Sequence, residues 1–505
     1  MDAFINAVAE VNSFINGIVW GWPMIILILG TGILITIRTK FMQIRKFGES
    51  INSTIVATVK SMGKPKNKGK KSKGVSQFEA FSAAISGTVG TGNIIGVTSA
   101  ILTGGPGAVV WMWVSAFFGM MTNYAENVLG LYYRKKDKDG NFRGGAFYYI
   151  YEGLHQKWLA YVAAIFCLTA AVGMSGVQTN KITGTLMSAF NMDGIIPKII
   201  IGVVVALFAG IVIIGGIKRI GKISSMLVPF MSLTFIIMSL IIIGMNFKAI
   251  PETFRLIFTS MFSTKSIAGG VGGYAFARII QKGMARGVFS NEAGLGSSVI
   301  AHSASETREP VKQGLWGIFE VFFDTFVICT ITALVVLTTN ISSGAFYTDA
   351  FGVLANDSSV ALNAFSSQLG MAGTVIFSAI LPLFAFTTIL AWSYYGEKAT
   401  EFCFKRLSDK GQRIATTSFK VVYICLIAVS ALIGSDLIWA IDDTFNGLMA
   451  LPNLIAVILL SGQVVKITKN YYKRHKKGLD IEPMLSAYPE QNAEFARDIK
   501  EEQAN

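Results

Sequence analysis

The sequence has 505 residues, of which 52% are hydrophobic and only 15% are charged. A soluble domain usually carries about 25% charged residues, so this composition points away from an ordinary water-soluble protein. Apolar stretches of about 20 residues, long enough to cross a bilayer, recur along the chain. The net charge of +14 could indicate a nucleic-acid-binding protein, but the distribution of the basic residues favours another explanation.

We predict eleven membrane-spanning helices. If the N-terminus lies outside, 36 of the 44 Lys and Arg residues fall in the cytoplasmic segments, which is the asymmetry of the positive-inside rule. The pattern therefore favours an external N-terminus and a cytoplasmic C-terminus, with the basic run Lys64 to Lys73 near anionic lipid. The predicted spans are 17–37, 77–101, 106–131, 158–190, 199–216, 224–246, 268–305, 313–339, 370–396, 421–438 and 441–465.

The loops are short, so one membrane domain accounts for nearly the whole chain. An external segment near 340–368 is predicted to carry a short surface helix, and the tail is predicted to be loosely structured, without a role in the site. Four cysteines without paired spacing and three scattered histidines indicate neither a disulfide framework nor a metal site. The predicted parts are an extra N-terminal helix (1–37), a basic cytoplasmic loop (38–76), a first repeat (77–246), a second repeat (247–465) and a polar cytoplasmic tail (466–505).

Two of the predicted spans break the rules of helix composition. Residues 85–96 contain four glycines and four Ser, Thr or Asn residues, and residues 287–298 contain three glycines and the carboxylate of Glu292. Each glycine costs about 1 kcal/mol of helix propensity relative to alanine. Unwound backbone at membrane depth is tolerated only where it lines a cavity or is buried in protein. Such a pair, one in each half of the chain, indicates a midplane binding site between inverted repeats.

The repeat arithmetic agrees with this interpretation. If the first span is extra, the broken spans are the second and the seventh, and each opens a block of five helices with opposite orientations. The alternative is close helix packing, because Gly92 and Gly96 form a small-xxx-small pair. The run Gly90-Thr91-Gly92 is not a nucleotide fingerprint, since no strand precedes it and no Gly-Lys-Ser/Thr follows it.

A helix break offers backbone groups to a ligand. The N–H groups at a half-helix N-terminus suit a carboxylate, whereas the free C=O groups at the other half-helix C-terminus suit a cation such as Na⁺. A zwitterionic amino acid and Na⁺ fit such a site together. Thr388 and Trp392, four residues apart, share one helix face and could cap a small substrate. Ordinary bundle packing with an interfacial Trp is the alternative for this pair.

Several charged residues fall inside predicted spans, where each costs about 2.5–3.5 kcal/mol at a helix centre. Arg278, Lys282 and Arg286 are spaced to share one helix face, and Glu292 follows within two turns. This face could line a vestibule or gate that leads to the second break, or its side chains could snorkel at a membrane edge. Other candidate intramembrane carboxylates are Glu126, Glu320 and Asp324.

At these motifs the sequence resembles the alanine or glycine:cation symporter family, also called sodium:alanine symporters. The resemblance extends over most of the chain, from the first span to about residue 465. It is carried by the strings GTVGTGNI at 87–94, GGPGAVVWMW at 104–113, RGVFSNEAGLGS at 286–297 and AWSYYGE at 391–397. One departure is Ser298-Val299-Ile300, where small residues and a proline are expected.

The resemblance implies an all-α integral membrane fold of the leucine-transporter type, with a five-plus-five inverted repeat and one preceding helix. It also implies Na⁺-coupled uptake of alanine or glycine. Gly90 and Thr91 would meet the carboxylate and amino group of the substrate. Thr387, with backbone oxygens of the first break, would bind sodium. The gate candidates, proposed from the charged face described above, are Arg286 and Glu292. The implied substrate-binding residues are Gly90, Thr91, Gly92, Phe289, Asn291, Thr388 and Trp392.

The leading hypothesis is therefore Na⁺-driven secondary transport of a small neutral amino acid across the cell membrane. A proton symporter of the same fold, with Glu292 or Glu126 as the relay, is the alternative. An intramembrane enzyme would need a clustered His, Cys or Asp constellation, which the sequence does not suggest, and a passive channel is a further possibility. The sequence does not fix the preferred substrate, its chirality, the ion stoichiometry or the oligomeric state.

Overall fold

The structure is a computed structural model that describes residues 2–62, 74–137, 140–262, 272–343, 357–433, 435–477 and 481–504. The predicted basic run Lys64 to Lys73 lies outside the described residues. The first helices are α1 (Asp2–Val19), α2 (Trp22–Arg38), α3 (Met42–Arg45), α4 (Phe47–Ile51), α5 (Ala57–Met62), α6 (Gln77–Thr88), α7 (Ile95–Gly104), α8 (Ala108–Tyr132), α9 (Ala146–Gly153), α10 (Lys157–Ala189), α11 (Ile195–Ile213) and α12 (Gly216–Met245).

The second half of the chain is also helical. A two-stranded hairpin, β1 (Lys135–Lys136) and β2 (Phe142–Arg143), joins α8 to α9. The remaining helices are α13 (Ile250–Ser260), α14 (Gly272–Asn291), α15 (Ser298–His302), α16 (Pro310–Val321), α17 (Thr330–Ser343), α18 (Asp357–Cys403), α19 (Asp409–Ser430), α20 (Ser435–Leu459), α21 (Ser461–Lys477) and α22 (Pro489–Ala504).

Each of the eleven predicted spans contains one of these helices or an interrupted pair. Among the described residues, seven helical stretches are long and apolar enough to cross a membrane, and two bent pairs bring the number to nine. The other two predicted spans correspond to α8 and to α14 with α15, which carry more polar side chains. Apolar residues of α11, such as Val203, Leu207 and Phe208, are exposed on the outside of the helix bundle. Such a surface is expected where a multi-pass membrane protein faces lipid.

The structure differs from the predicted spans mainly at helix ends. The predicted tenth span is 421–438, but α19 begins at Asp409, because the side chain of Ser408 caps it by accepting a hydrogen bond from the Gly411 N–H at 3.2 Å. Hydropathy alone misses such a polar first turn. Within the predicted external segment near 340–368, the described residues 340–343 end α17 and residues 357–368 are helical. The latter meet the rest of α18 at a kink at Gly370 (φ 59°, ψ −140°).

The expectation of a loosely structured tail is wrong for the described residues. The chain bends by 58° after α20 and continues as α21, and α22 follows closer to the C-terminus. Leu485 and Phe495 from this tail are 0% and 1% exposed. Composition predicted a loosely structured tail because the segment is polar, but a few buried apolar side chains and ion pairs fix it against the membrane domain.

The interrupted helices lie at the centre of the bundle. α6 packs against α12, α15 and α18, while α14 packs against α7 and α8. The long helices α10 and α18 lie along each other and α20 packs on α10. The start of α6 is fixed by a capping box, in which Ser76 accepts from the Glu79 N–H at 3.2 Å and its own N–H donates to the Glu79 carboxylate at 2.9 Å.

Candidate functional site

The first interruption separates α6 from α7. α6 ends at Thr88, a single 3₁₀ turn covers Thr91–Asn93, and α7 begins at Ile95, so that the two helices meet at 53°. The side-chain oxygen of Asn93 accepts the N–H of Gly90 at 2.8 Å, which fixes the turn from within. This segment is buried throughout. We refer to residues 89–94 as the first break.

The second interruption separates α14 from α15, and we refer to residues 292–297 as the second break. Its backbone has positive φ at Glu292 (54°), Gly294 (98°) and Gly296 (75°). Glycine adopts this region readily, but Glu292 does not, so the surrounding contacts must hold it there. Its carboxylate accepts from the Trp392 indole N–H at 3.0 Å and from the Ser297 hydroxyl at 2.5 Å. Glu292 thus links the second break to α18 inside the bundle.

Glu126 of α8 accepts hydrogen bonds from backbone N–H groups that have no helical partner in the second break. One of its carboxylate oxygens accepts from the N–H groups of Gly294 and Gly296, both at 3.1 Å. Asn453 of α20 donates to the same oxygen at 2.5 Å and to the Gly294 carbonyl at 2.8 Å. The backbone N–H groups that could bind an anion at this break are therefore already bonded to a carboxylate of the protein itself.

The structure brings the predicted substrate residues of the two breaks and of α18 together. A Cβ atom at Gly90 would lie 2.4 Å from the Thr388 hydroxyl oxygen, and one at Gly92 would lie 3.4 Å from the Phe289 ring. The Thr388 hydroxyl is 3.0 Å from the Ser86 carbonyl oxygen, at the last turn of α6. Trp392 is fully buried. The first break is thus enclosed by Thr388 on one side and Phe289 on the other.

Thr91 and Asn291 contact partners that the sequence did not indicate. The Thr91 hydroxyl donates to the Gln178 side-chain oxygen at 2.9 Å, and Gln178 is a buried residue of α10. Asn291 donates to the Thr325 hydroxyl at 3.0 Å. A glutamine inside an apolar span was the available signal for Gln178, whereas its pairing with Thr91, 87 residues earlier, has no local signature.

A buried carboxylate, Asp324, joins the two interrupted helices. It lies in a π-helical segment, Phe322–Cys329, between α16 and α17, a local geometry that is frequent at functional sites. Asn93 of the first break donates to one carboxylate oxygen at 2.5 Å, and Ser290 at the end of α14 donates to the other at 2.9 Å. Asp324 therefore holds the two helices in register beside the breaks.

A further candidate carboxylate, Glu320 of α16, pairs with His302. Its carboxylate oxygen is 2.7 Å from His302 Nε2, and the other ring nitrogen, Nδ1, is 2.6 Å from the side-chain nitrogen of Gln313. All three residues are fully buried. This pair fastens α15 to α16 on the far side of the second break.

The hydroxyls of the two adjacent threonines of α18 both contact the Phe384 carbonyl, but their other neighbours differ. The Thr387 hydroxyl donates to the Phe384 carbonyl at 3.0 Å and lies 3.8 Å from the sulfur of Met231 in α12. Thr388, by contrast, lies next to the backbone oxygen of Ser86. The structure thus puts Thr388 nearer than Thr387 to the backbone oxygens that precede the first break.

The gate candidate Arg286 contacts α20 one and a half turns before the second break. Its guanidinium is 3.4 Å from the Asp443 carboxylate and 5.1 Å from the Trp439 ring centre. Trp439 stacks on Phe289 with ring centres 5.5 Å apart and planes at 22°. Along the same helix face Arg278 is exposed and Arg286 is almost covered. The other gate candidate, Glu292, lies deeper, against Trp392.

Comparison with known proteins agrees with this architecture. The solved structure of MhsT in complex with L-phenylalanine is similar, with a TM-score of 0.55 and 13% sequence identity over 79% of this chain and 99% of that one. This likeness supports the leucine-transporter fold, an inverted repeat of five helices that here follows one extra helix.

The sequence comparisons identify the family. A family model described as the sodium:alanine symporter family matches residues 5–485. The sodium/alanine symporter AgcS of Methanococcus maripaludis is 40% identical, with 94% of this chain and 98% of that protein covered. A putative sodium/proton-dependent alanine carrier protein, YrbD of Bacillus subtilis, is 37% identical, with 94% of each covered. This chain, a secondary amino-acid transporter and not an enzyme, therefore belongs to the sodium:alanine symporter family.

Proposed function

We propose that this protein carries a small neutral amino acid, alanine or glycine, into the cell together with Na⁺ by alternating access. The observation that carries the proposal is the first break, a buried 3₁₀ turn between Thr388 and Phe289. The first N–H groups of such a turn have no acceptor within the helix. They can therefore bind a carboxylate that has been stripped of water.

The contrast between the two breaks supports this position for the substrate carboxylate. At the second break the N–H groups of Gly294 and Gly296 already bind Glu126. At the first break the Gly90 N–H donates to the Asn93 side-chain oxygen at 2.8 Å. Among the described contacts, the N–H groups of Thr91 and Gly92 have no internal carboxylate as their partner, and Gly92 faces Phe289. Thr91, which is bonded to Gln178, offers oxygen atoms to the amino group.

The packing around the first break favours a small side chain. A Cβ atom added at Gly92 would lie 3.4 Å from the Phe289 ring, in van der Waals contact with it, and Trp392 is held in place by Glu292. Asn291 is fixed by Thr325, so the walls of the pocket have little freedom to retreat. A pocket of this kind separates alanine from glycine by one methyl group, which is worth about 1–3 kcal/mol.

Sodium is proposed to bind beside the substrate, at the free carbonyl oxygens that end α6. Thr387 is the predicted side-chain ligand, and the 3.0 Å contact of Thr388 with the Ser86 carbonyl places a second hydroxyl in the same region. Each Na⁺ that enters with the substrate gains about 2.3 kcal/mol per 100 mV of membrane potential. That gradient can drive accumulation of a neutral amino acid.

Alternating access requires a barrier on each side of the site. We assign the barrier on the external side to Arg286 with Asp443 and to the stacked rings of Phe289 and Trp439. In this assignment the N-terminus lies outside and the C-terminus in the cytoplasm. The deep burial of both breaks supports a conformation in which the site is closed to both sides.

Uptake into proteoliposomes tests the proposal. We expect labelled L-alanine to accumulate when Na⁺ is high outside, and to equilibrate without accumulation when K⁺ replaces Na⁺ on both sides. A competition series of glycine, L-alanine, D-alanine and serine then ranks the substrates. Equal accumulation with and without a Na⁺ gradient would disprove sodium coupling.

A proton-coupled symporter of the same fold is the second candidate. Glu292 and Glu126 are buried carboxylates in contact with the second break, and intramembrane carboxylates commonly relay protons. Accumulation of alanine under an inward pH gradient in Na⁺-free buffer would favour this candidate over sodium symport.

A further inference from the structure

The two interrupted helices are joined to each other at the end of the molecule that lies away from Arg286. There the second interrupted helix ends in residues 303–309, which we call the 303–309 loop. The Val75 N–H, just before α6, donates to the Ala304 carbonyl at 3.2 Å, and the Glu306 N–H donates back to the Val75 carbonyl at 2.8 Å. To open this end of the molecule, the two segments must either separate from each other or move together as one unit.

A buried arginine also holds the 303–309 loop. Arg134, which follows α8 and is 1% exposed, donates to three of its carbonyl oxygens. The distances are 3.0 Å to Ser303, 2.5 Å to Ser305 and 2.5 Å to Thr307. Hydrogen bonds from a charged donor in a buried place are among the stronger ones in proteins. The loop is therefore fixed to the end of α8.

The C-terminal helix α22 covers this arrangement. The side chain of Gln491 donates to the Arg134 carbonyl at 3.2 Å. In the segment just before α22, the Ala487 N–H donates to the Tyr132 carbonyl at 2.8 Å. Phe495 is 1% exposed and packs edge-on against Phe142 of the hairpin, with ring centres 6.1 Å apart. α22 thus seals the place where Arg134 meets the loop.

Ion pairs tie the tail directly to the 303–309 loop and to the hairpin. Asp498 of α22 lies 2.9 Å from Arg308 in the loop, and Glu494 pairs with Lys136 of β1. Arg474 of α21 makes two hydrogen bonds, at 2.8 Å and 2.7 Å, with the carboxylate of Glu309. The tail therefore contacts both the 303–309 loop and the neighbouring β1–β2 hairpin.

From this arrangement we infer that α22 is a latch that holds the 303–309 loop down and so stabilises the closed form of this end. α22 lies outside the 5–485 segment that matches the family model, so that match assigns no role to this helix. In the proposed transport cycle this end must open, and release or displacement of α22 would accompany that step. The closed-end contacts themselves do not depend on which solute is carried.

Hydrogen–deuterium exchange of the purified full-length protein tests the latch without any transport measurement. Removal of residues 478–505 should raise exchange of the backbone amides in 74–76 and 303–309 by about tenfold or more, because buried Phe495 and Leu485 are lost with the ion pairs. Exchange in α10 and α18 should stay unchanged. If 303–309 exchanged as slowly in the truncated protein as in the intact one, or if all helices were loosened alike, the latch would be disproved.

Charge variants test the contribution of the ion pair. Asp498→Arg should raise exchange of the 303–309 loop by about two- to fivefold, the range of a partly exposed pair. The exchanged pair Arg308→Asp with Asp498→Arg should restore slow exchange. Glu490→Arg, on an exposed part of the same helix, is the matched control and should have no effect. Failure of the exchanged pair to restore protection would contradict the role of Asp498 in the latch.

Discussion

Gly90 lies so near Thr388 that this position has no room for a side chain. A Cβ atom there would come within 2.4 Å of the Thr388 hydroxyl oxygen, which itself contacts the Ser86 carbonyl. Gly90→Ala must therefore displace Thr388 or open the first break, and both changes disturb the proposed substrate and sodium positions. We expect alanine uptake at low substrate concentration to fall by about tenfold or more, since a misplacement of about 1 Å costs about two orders of magnitude in comparable sites.

Gly96→Ala is the matched control for this prediction. Gly96 is buried on α7, six residues further along the same interrupted helix, and a Cβ atom there meets nothing within 4 Å. Alanine at a helical position stabilises the helix by about 0.5–1 kcal/mol relative to glycine. Uptake by this variant should match the parent protein. Equal loss in both variants would show that the loss does not depend on the clash with Thr388, and would remove the steric argument.

Trp392 is expected to act through its hydrogen bond to Glu292. In Trp392→Phe the ring volume is largely kept, but Glu292 loses the indole donor at 3.0 Å. A buried carboxylate that loses one donor is destabilised by about 1–3 kcal/mol, and the second break then changes shape. We expect the KM for alanine to rise about fivefold or more, measured by initial-rate uptake. Trp158→Phe, at a 67% exposed residue of α10, is the control, and an unchanged KM in Trp392→Phe would contradict this role.

At the scale of helices, α14 and α20 form one barrier through Arg286 and Asp443. Asn16 of α1 also donates to Asp443 at 3.2 Å, so three helices meet at this carboxylate. If the pair acts as a unit, Arg286→Gln and Asp443→Asn should each lower the initial rate of alanine uptake. The double variant should then lose no more of this rate than either single variant. A coupling energy of about 0.5–3 kcal/mol is expected from such a cycle.

Initial uptake rates of the four proteins in this cycle measure the coupling. Arg278→Gln is the control, because Arg278 lies on the same face of α14 but is exposed. Strictly additive effects of the two single substitutions would show that the charges act separately, and the proposed barrier would then consist of Phe289 and Trp439 alone.

The sequence predicted the interrupted helices because their signals are local. Clustered glycine and polar residues within one apolar span are visible without knowing any partner. The helical spacing of Thr388 and Trp392 is local as well, whereas Phe289 and Asn291 came from the resemblance to a family. The partners that complete the site are distant in sequence. Gln178 meets Thr91 over 87 residues, and Glu126 meets Gly294 over 168. No spacing rule specifies such pairs, so only the packing of the helices reveals them.

In the tail, by contrast, composition gave a wrong prediction. Its polar sequence predicted a loose segment, yet the described part contains α22 with Phe495 buried. The free energy that orders it comes from contacts with Arg134, Arg308 and the hairpin, all in other parts of the chain. A polar helix with few apolar anchors is stable only against such a surface, and its own composition does not contain that information.

At the scale of the whole molecule, the distribution of basic residues sets the expected orientation. With the N-terminus outside, 36 of 44 Lys and Arg residues lie in cytoplasmic segments. Two single cysteines on exposed residues test this orientation, Asn191→Cys between α10 and α11 and Glu490→Cys on α22. The background carries Cys403→Ala and Cys425→Ala, because Cys167 and Cys329 are buried.

In intact cells, a membrane-impermeant maleimide should label the cysteine at position 191, while the cysteine at 490 should react only after the membrane is permeabilised. The physical reason is that translocation of the basic segments is unfavourable, so they remain on the cytoplasmic side. Both variants must retain alanine uptake, which serves as the control for folding. Labelling in the reverse order would show that the membrane orientation is opposite to the predicted one. It would then put α22 and the 303–309 loop at the external entrance and the Arg286–Asp443 pair at the cytoplasmic exit.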